Sequence, residues 1–227
     1  MSSSRRHATS TSANRAEYRK AFLGHVHKLL HAGYAALTPS AFTNAEEDDI
    51  TGELCKHMKH LTEVAPSAQW MALYSIHDQD PVNDAKRDDD GSVRLGKRRP
   101  RLDIRIVNKH RVPNAGFCIE AKRLHRSDSL GDYMDDEGLN AFIKEYYAKN
   151  DDACGMLGYV QAGAIKEWTY KLQLRLLKDL STRACTNKQA WTKTHAGKNG
   201  VVGYLSRHLC PDSQKTLDVY HTLLDFV

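Results

Sequence analysis

Three charged residues on two neighbouring segments have the types and the spacing of a hydrolytic metal site. Glu120 and Lys122 are separated by one residue, so on a β-strand their side chains point to one face and Ala121 points to the other. Asp103 lies in the segment before them. If the two segments pair as a hairpin, Asp103 faces Glu120 on the same side. Two carboxylates and one ammonium group would then converge on one surface of a sheet.

The face that Asp103 occupies follows from the alternation within its own segment. Leu102, Ile104 and Ile106 are apolar at every second position, which predicts that they share one face of a strand. Asp103 and Arg105 then point to the opposite face. This alternation places the Asp103 carboxylate on the polar side of the predicted hairpin.

The chemistry of this set is that of metal-assisted hydrolysis. Two neighbouring carboxylates are hard oxygen ligands that suit Mg²⁺, and the Ala121 carbonyl can add a further ligand. A bound Mg²⁺, for which Mn²⁺ can substitute, lowers the pKa of a coordinated water and offsets the charge of a phosphate. Lys122 could orient or help to deprotonate that water, or stabilise the transition state. Asp103 and Glu120 are therefore the predicted metal ligands, and Lys122 completes the catalytic set.

The hydrophobic pattern predicts the elements that position these residues. Helical periodicity predicts four helices, which begin near Arg15 and Asn44 and cover about 139–147 and 162–180. Alternating or apolar segments predict six strands, at 70–76, 102–107, 117–122, 155–160, 201–205 and 217–226. From 44 to 160 the order is helix, three strands, helix, strand. This order indicates an α/β fold with a mixed central sheet flanked by helices.

With these elements, the charged set resembles the PD-(D/E)xK nuclease superfamily, whose fold is called restriction-endonuclease-like. The resemblance rests on Asp103, Glu120 and Lys122, with Pro100 near the place where the pattern often has proline. It covers residues 44–160, because the family core has the same αβββαβ order, with the acidic residue on the second strand and ExK on the third. The resemblance implies a restriction-endonuclease-like core with extra N- and C-terminal elements. It also implies Mg²⁺-dependent hydrolysis of phosphodiester bonds, with DNA as the expected substrate and a homodimer as a frequent assembly.

Two segments, Cys118–Leu124 and Gly155–Val160, also resemble small nuclease-fold proteins of bacterial defence loci. That likeness implies a role in defence against phage or foreign DNA. It further implies that a partner subunit or a second copy of the chain assists recognition. The expected molecule is therefore a cytoplasmic endonuclease.

The superfamily resemblance also implies an acidic residue on the first core helix that assists the metal. Glu47 matches that place best, with Glu46 and Glu53 as alternatives. The pattern has an equally good structural interpretation, because Asn44 followed by Glu47 is a variant of the capping box and acids favour the first turn of a helix. One residue could serve both purposes, so Glu47 joins the catalytic and metal-ligating candidates.

Basic residues bracket the predicted site on both sides in the sequence. Six of them are the predicted contacts to a nucleic-acid backbone: Lys97, Arg98, Arg99, Arg101, Arg123 and Arg126. Cations that hold a polyanion beside carboxylates that hold a metal suit phosphate-backbone binding. His125 could also reach a phosphate, although a surface role is the simpler interpretation. The alternative is a solvated loop, and the net charge of +5 is too small to identify a partner by itself.

Length and composition predict one domain over residues 15–227, preceded by a disordered tail at 1–14. Within it, the nuclease-like core covers about 44–160 and a C-terminal extension covers 161–227. The chain has 227 residues, 41% hydrophobic and 27% charged, without an apolar stretch that could form a transmembrane helix or a secretory signal. No membrane partner is expected. Five cysteines without a CxxC pattern predict reduced thiols in the cytoplasm.

Other classes of site are disfavoured or stay open. The spacing of His208, Cys210 and His221 is unlike that of common zinc sites. The chain has neither a phosphate-binding glycine loop nor a nucleophile elbow. Two alternatives to a nuclease remain. One is a catalytically inactive nuclease-fold subunit that binds nucleic acid or a protein partner, and the other is a metal-dependent phosphatase or nucleotide hydrolase that uses the same carboxylates.

Overall fold

Helices and strands follow one another in an α/β order. The computed structural model describes residues 4–64, 66–81, 101–110, 116–178, 191–196 and 200–227. The helices of this part of the chain are α1 (Ser4–Ala35), α2 (Glu47–Lys59), α3 (Ser129–Met134), α4 (Leu139–Ile143) and α5 (Ile165–Lys178). Its strands are β1 (Tyr74–Pro81), β2 (Arg101–Asn108), β3 (Gly116–Leu124), β4 (Ala153–Val160), β5 (Thr192–Ala196), β6 (Val201–Leu209) and β7 (Thr216–Asp225).

All seven described strands form one mixed sheet in the order β1-β2-β3-β4-β7-β6-β5. β3 pairs with β4, and β4 with β7, in parallel, while the remaining neighbours are antiparallel. All eight residues of β4 are buried, as expected for a central strand that is covered on both faces. The predicted α/β fold with a mixed sheet is confirmed. The last strand of the C-terminal extension, β7, lies at the centre of the sheet rather than at its edge.

Each face of the sheet carries its own layer of helices and its own core. The first core joins α1 and α2 to the sheet and includes Val26, Leu29, Ile50, Leu54, Met58, Ile76, Ile104, Ile106, Ile119 and Ala121. The second core joins α3, α4 and α5 to the other face and includes Leu102, Cys118, Tyr133, Phe142, Met156, Trp168, Leu172, Leu176 and Val219. Within the described part of the chain, none of the helices combines the length and the hydrophobicity that crossing a bilayer requires.

Several element boundaries differ from the predicted ones. α1 begins at Ser4, inside the segment 1–14 for which a disordered tail is predicted. α2 begins at Glu47 rather than near Asn44. β1 begins at Tyr74, because a 3₁₀ turn over Met71–Leu73 occupies the start of the predicted strand. α3 and β5 have no counterpart among the predicted elements.

At one position in β1 and β2, the alternation of side chains between the two faces of the sheet is interrupted. Gln79 has a positive φ of 51°, and the register of the two strands continues on both sides of Gln79 and Asp103 without pairing these two residues. Beyond this point Leu102 belongs to the second core, although Ile104 and Ile106 belong to the first. The predicted alternation of these three residues is therefore wrong at Leu102. Asp103 lies where the alternation is interrupted, opposite Gln79, and its carboxylate lies beside the backbone of β3.

Candidate active site

β3 presents Glu120 and Lys122 on the face that the sequence predicts for both. Cys118 belongs to the second core, whereas Ile119 and Ala121 belong to the first. Because side chains alternate along a strand, Glu120 and Lys122 point to the face of the second core. The predicted alternation is confirmed at Ala121, which packs in the first core while Cys118 and Leu124 pack in the second.

One edge of β3 is open where β2 stops pairing with it. The paired residues of β3 end at Ile119, and the N–H groups of Ala121 and Arg123 continue along that edge because alternate residues of a strand point the same way. Oδ2 of Asp103 accepts the N–H of Ala121 at 2.7 Å. Oε2 of Glu47 accepts the N–H of Arg123 at 3.0 Å. Carboxylates from β2 and from α2 thus replace a strand along this segment, which we call the open edge of β3.

Asp103 is a buried carboxylate with two hydrogen-bond donors. The residue is 6% exposed, and besides the N–H of Ala121 it accepts Nε2 of Gln79 on Oδ1 at 3.3 Å. Burial raises the pKa of Asp103 to about 6, although the hydrogen bond from Ala121 lowers it. The charges of Glu47 and Asp48 also raise this pKa. Asp103 is therefore held in place by donors but surrounded by other acids.

Glu120 is more deeply buried and only half satisfied. The residue is 4% exposed, and its Oε1 accepts the ammonium of Lys122 at 2.9 Å. Among the described residues, its buried Oε2 has no hydrogen-bond partner. Burial, followed by the charge of Asp103, raises the pKa of Glu120 well above its ordinary value. A buried acceptor without a donor is costly, so this oxygen marks a position suited to a cation or a donor.

Lys122 joins the two acids that lie on either side of it. Its Nζ donates to Oε1 of Glu120 at 2.9 Å and to Oε1 of Glu47 at 3.2 Å. Burial opposes its charge, but the carboxylates of Glu120, Glu47 and Asp103 raise the pKa of Lys122 above its ordinary value. Lys122 is therefore an ammonium ion held by carboxylates, a state that suits a positioning or charge-stabilising role better than that of a base.

Of the three acids proposed on the first core helix, Glu47 is the one that reaches Lys122. Glu46 precedes the helix, where its side chain makes no capping hydrogen bond, and it pairs with an arginine of β3. Glu53 pairs with a lysine of the same helix at 2.6 Å. The capping box expected from Asn44 does not form, because the helix begins three residues later. Glu47 instead serves to hold the end of β3.

Two carboxylates of this set fit a divalent cation. Within the described residues, no three histidine, cysteine or acidic side chains form a group that could hold a metal ion. Mg²⁺ does not require such a group, since it is usually bound by one or two carboxylates and keeps several waters. Asp103 and Glu120 supply two carboxylates with raised pKa values and one unpartnered oxygen, so a divalent ion would offset buried negative charge. Glu47 has both of its oxygens engaged by protein donors.

An open cleft of about 480 Å³ adjoins Lys122. Within the described part of the chain, its lining residues are Glu46, Glu47, Lys122, Arg123, His125, Arg126, Asp132, Asp135 and Glu137. Five of these nine described residues are acids and three are lysine or arginine, so together they carry an excess of negative charge. Such a cleft attracts a cation first, and it suits a phosphate only once its acids are offset.

The six basic residues proposed to contact a nucleic acid divide into three groups. Lys97, Arg98 and Arg99 lie outside the described residues. Arg101 is exposed at the start of β2 and is not among the residues that line the cleft. Arg123 and Arg126 do line the cleft, but both pair with acids: Glu46 for the first, Asp128 and Asp132 for the second.

Three residues of the site were not among the predicted ones. Gln79 donates to Asp103 and, at 3.4 Å, to Asp48. Gln79 is a glutamine in a polar segment and Asp48 is the third residue of an acidic run, and neither pattern predicts a functional residue. Ser129 contacts His125 at the side of the cleft. A serine at the start of a helix is a recognisable capping signal, so Ser129 could have been found had α3 been predicted.

The histidines considered for zinc lie in a buried chain of hydrogen bonds. Tyr133 Oη is 2.9 Å from Nδ1 of His221, and Ser206 Oγ is 2.7 Å from Nε2 of both His221 and His208. All four residues are buried. Burial, and then the neighbouring His208, lowers the pKa of His221 well below its ordinary value. These partners account for the two histidines without a metal.

The arrangement can bind a divalent cation and present an ammonium group beside it. Asp103 and Glu120 lie at the open edge of β3, Lys122 is fixed between Glu120 and Glu47, and the cleft gives a small ligand access to Lys122. Compared with protein-family models, with curated proteins and with solved structures, the chain finds no match.

Proposed function

We propose that the protein is a Mg²⁺-dependent nuclease that hydrolyses phosphodiester bonds of DNA on a restriction-endonuclease-like core. The observation that supports this most directly is the convergence of Asp103, Glu120 and Lys122 at the open edge of β3, where Oε2 of Glu120 has no hydrogen-bond partner among the described residues. The resemblance of the sequence supports the same activity. It also suggests bacterial defence against phage or foreign DNA as the setting, in the cytoplasm.

In this proposal Asp103 and Glu120 hold the ion, with the Ala121 carbonyl as a further ligand, and Mn²⁺ can replace Mg²⁺. When bound, the ion supplies a coordinated water of lowered pKa and offsets charge on the phosphate. The protein prepares the two carboxylates in advance. The N–H of Ala121 orients Asp103, and the ammonium of Lys122 orients Glu120, so little rearrangement is needed during the reaction.

Lys122 acts in this scheme as a cation. Glu120 and Glu47 raise its pKa, so it keeps its proton at neutral pH. Lys122 lines the cleft, and its ammonium can stabilise negative charge that develops on a phosphoryl group there. Glu47 holds Lys122 in this place and so assists the site without binding the ion itself.

Cleavage of plasmid DNA tests the proposal. Purified protein is incubated with supercoiled plasmid in Mg²⁺, in Mn²⁺ and in EDTA, and the wild type is compared with Asp103→Asn and Lys122→Ala. Lys56→Ala is the matched control, because Lys56 is an exposed lysine on α2 that pairs with Glu53, outside the proposed site. We expect metal-dependent nicking or linearisation by the wild type and the control, and a loss of at least about 100-fold in both site variants.

The outcomes separate the proposal from the alternatives. Cleavage in EDTA, or equal cleavage by Asp103→Asn and the wild type, rules out this site. DNA binding without cleavage in either metal supports a catalytically inactive nuclease-fold subunit. Because the resemblance implies that a partner subunit or a second copy of the chain assists recognition, the same assay can be repeated with a partner subunit and at a higher protein concentration.

One observation favours a second candidate, a metal-dependent phosphatase or nucleotide hydrolase. The cleft has the volume of a small-molecule site and an acidic lining, which suits a small metal-bound phosphate better than a long polyanion. Release of phosphate from nucleotides and from p-nitrophenyl phosphate, measured with the same variants, distinguishes this candidate. Phosphate release without plasmid cleavage supports it over the nuclease.

A further inference from the structure

His125 lies at the side of the cleft and is held there by one buried serine. It follows β3 directly and shares the cleft lining with Lys122. Nδ1 of His125 is 3.3 Å from Oγ of Ser129, the first residue of α3, which is fully buried. Ser129 therefore fixes the orientation of the imidazole ring through Nδ1, and Nε2 is the nitrogen left for a ligand.

The other contacts of Ser129 decide which nitrogen carries the proton. Its Oγ accepts the backbone N–H of His125 at 3.3 Å and that of Arg126 at 3.2 Å. A serine hydroxyl has two acceptor positions and one proton. Since both acceptor positions are used by backbone donors, the hydroxyl proton is directed to Nδ1 of His125. Nδ1 is then the acceptor, and in the neutral ring Nε2 must carry the hydrogen.

The surrounding charges keep this ring neutral. Burial lowers the pKa of His125, and the charges of Arg123 and Arg126 lower it further. Asp128 and Glu46 act in the opposite direction without reversing the shift. At neutral pH the ring is therefore an uncharged donor rather than an imidazolium ion.

We infer that His125 is a substrate-contacting residue that donates its Nε2–H to a phosphate oxygen of the substrate, with Ser129 as the positioning residue that fixes the tautomer. This inference rests on the proposed phosphodiester hydrolysis. An uncharged donor suits this acidic cleft, because it binds a phosphate oxygen without forming an ion pair with the neighbouring acids. It also complements Lys122, a cation of the same cleft lining that is held by the carboxylates of Glu120 and Glu47.

The tautomer is tested without any activity measurement. ¹⁵N spectra of histidine-labelled, metal-free protein at pH 7.5 are compared with those of His125→Gln, which identifies the signals of His125 among the twelve histidines. We expect a protonated Nε2 and an unprotonated Nδ1 for His125. A protonated Nδ1, or a ring protonated on both nitrogens, overturns the inference.

Two amide substitutions test the contact itself. The amide nitrogen of glutamine reaches about as far as Nε2, whereas that of asparagine reaches only as far as Nδ1. We expect His125→Ala and His125→Asn to lower kcat/KM for DNA cleavage about 10- to 100-fold, the loss of one hydrogen bond to a charged group. His125→Gln should restore most of it. His77→Ala, which changes an exposed histidine of β1, is the matched control, and equal activity of His125→Ala and the wild type overturns the contact.

The inference and the proposed nuclease activity fail in different ways. If the wild type cuts no DNA, the nuclease proposal fails, and the contact is tested by adding a DNA duplex with Ca²⁺ to the labelled protein. A shift of the Nε2 and Nε2–H signals of His125 supports the phosphate contact. Binding of the duplex that leaves these signals unchanged, or no binding at all, overturns it.

Discussion

Replacing Asp103 by asparagine should stabilise the metal-free protein at neutral pH while it removes activity. The asparagine keeps the shape of the side chain, and its amide oxygen can still accept the N–H of Ala121. Its amide nitrogen can donate to Gln79 once the Gln79 amide turns over, although this gives up the 3.4 Å hydrogen bond from Gln79 to Asp48. The substitution thus removes the charge of a buried acid and leaves its hydrogen bonds in place.

The size and the sign of the effect follow from the raised pKa. Folding moves the pKa of Asp103 from 3.8 to about 6, so the folded state binds this proton more tightly than the unfolded state. Stability is therefore lost as pH rises from about 4 through about 6, and the loss reaches about 3 kcal/mol above pH 7. An amide oxygen is a weaker hydrogen-bond acceptor than a carboxylate, and the variant also loses the attraction between Asp103 and the charge of Lys122. These two losses reduce the expected gain in the free energy of unfolding to about 1–3 kcal/mol.

Thermal and chemical unfolding of the wild type and Asp103→Asn in EDTA at pH 5 and pH 7.5 measures the effect. We expect a melting temperature about 2–10 °C higher for the variant at pH 7.5. The advantage should shrink by about 1–1.5 kcal/mol at pH 5, where part of the wild-type carboxyl is protonated. Asp212→Asn, at an exposed position, should change little at either pH. Added Mg²⁺ should stabilise the wild type and not the variant, because binding to the folded state alone raises stability.

Two results would refute this reasoning. The first is a variant that is less stable than the wild type at pH 7.5 without metal, which would mean that the donors outweigh the desolvation of Asp103. The second is a difference that is the same at pH 5 and pH 7.5. In that case the gain would come from packing or hydrogen bonding and not from the titration of the carboxyl.

Three further substitutions test other parts of the site and the fold. Asparagine at position 79 tolerates the positive φ of this residue, but its side chain is too short to reach Asp103. DNA cleavage by Gln79→Asn should therefore fall about tenfold in the plasmid assay. Gly158→Ala would place a Cβ against the buried side chains of Leu223 and Leu124, and urea unfolding should show a loss of about 1–3 kcal/mol. Tyr133→Phe removes the partner of Nδ1 of His221, and the same measurement should show a loss of about 1–3 kcal/mol.

The sequence predicted what depends on local pattern and missed what depends on where strands stop pairing. Alternation within β3 was enough to place Glu120 and Lys122 on one face, because continuous pairing with β4 keeps this segment a regular strand although β2 stops pairing at Ile119. The same rule failed for Leu102, since a residue with positive φ on the adjacent strand turns the pair over. Gln79 is not a residue type that signals such a turn, so nothing in the sequence marked the change of face.

The position of β7 was also beyond local pattern. The alternation at 217–226 predicts a strand but carries no information about its neighbour, and β7 pairs with β4, more than 50 residues earlier in the chain, over eight residue pairs. With this pairing both edges of β4 are hydrogen-bonded to neighbouring strands, and the C-terminal extension becomes part of the central sheet. A core limited to 44–160 would leave one edge of β4 unpaired, which is costly for a strand that is buried along its whole length.

The open edge of β3 explains how acids can be gathered in a buried place before any cation is bound. Backbone N–H groups along this edge would be left without acceptors when β2 ends its pairing at Ile119, and an unpaired buried N–H is costly. The carboxylates of Asp103 and Glu47 satisfy two of these donors. Folding therefore gains two charge-assisted hydrogen bonds in return for bringing the acids together. Oε2 of Glu120, on the strand itself, receives no donor from the part of the chain that the structure describes, so this oxygen is the part of the site that is left for a ligand.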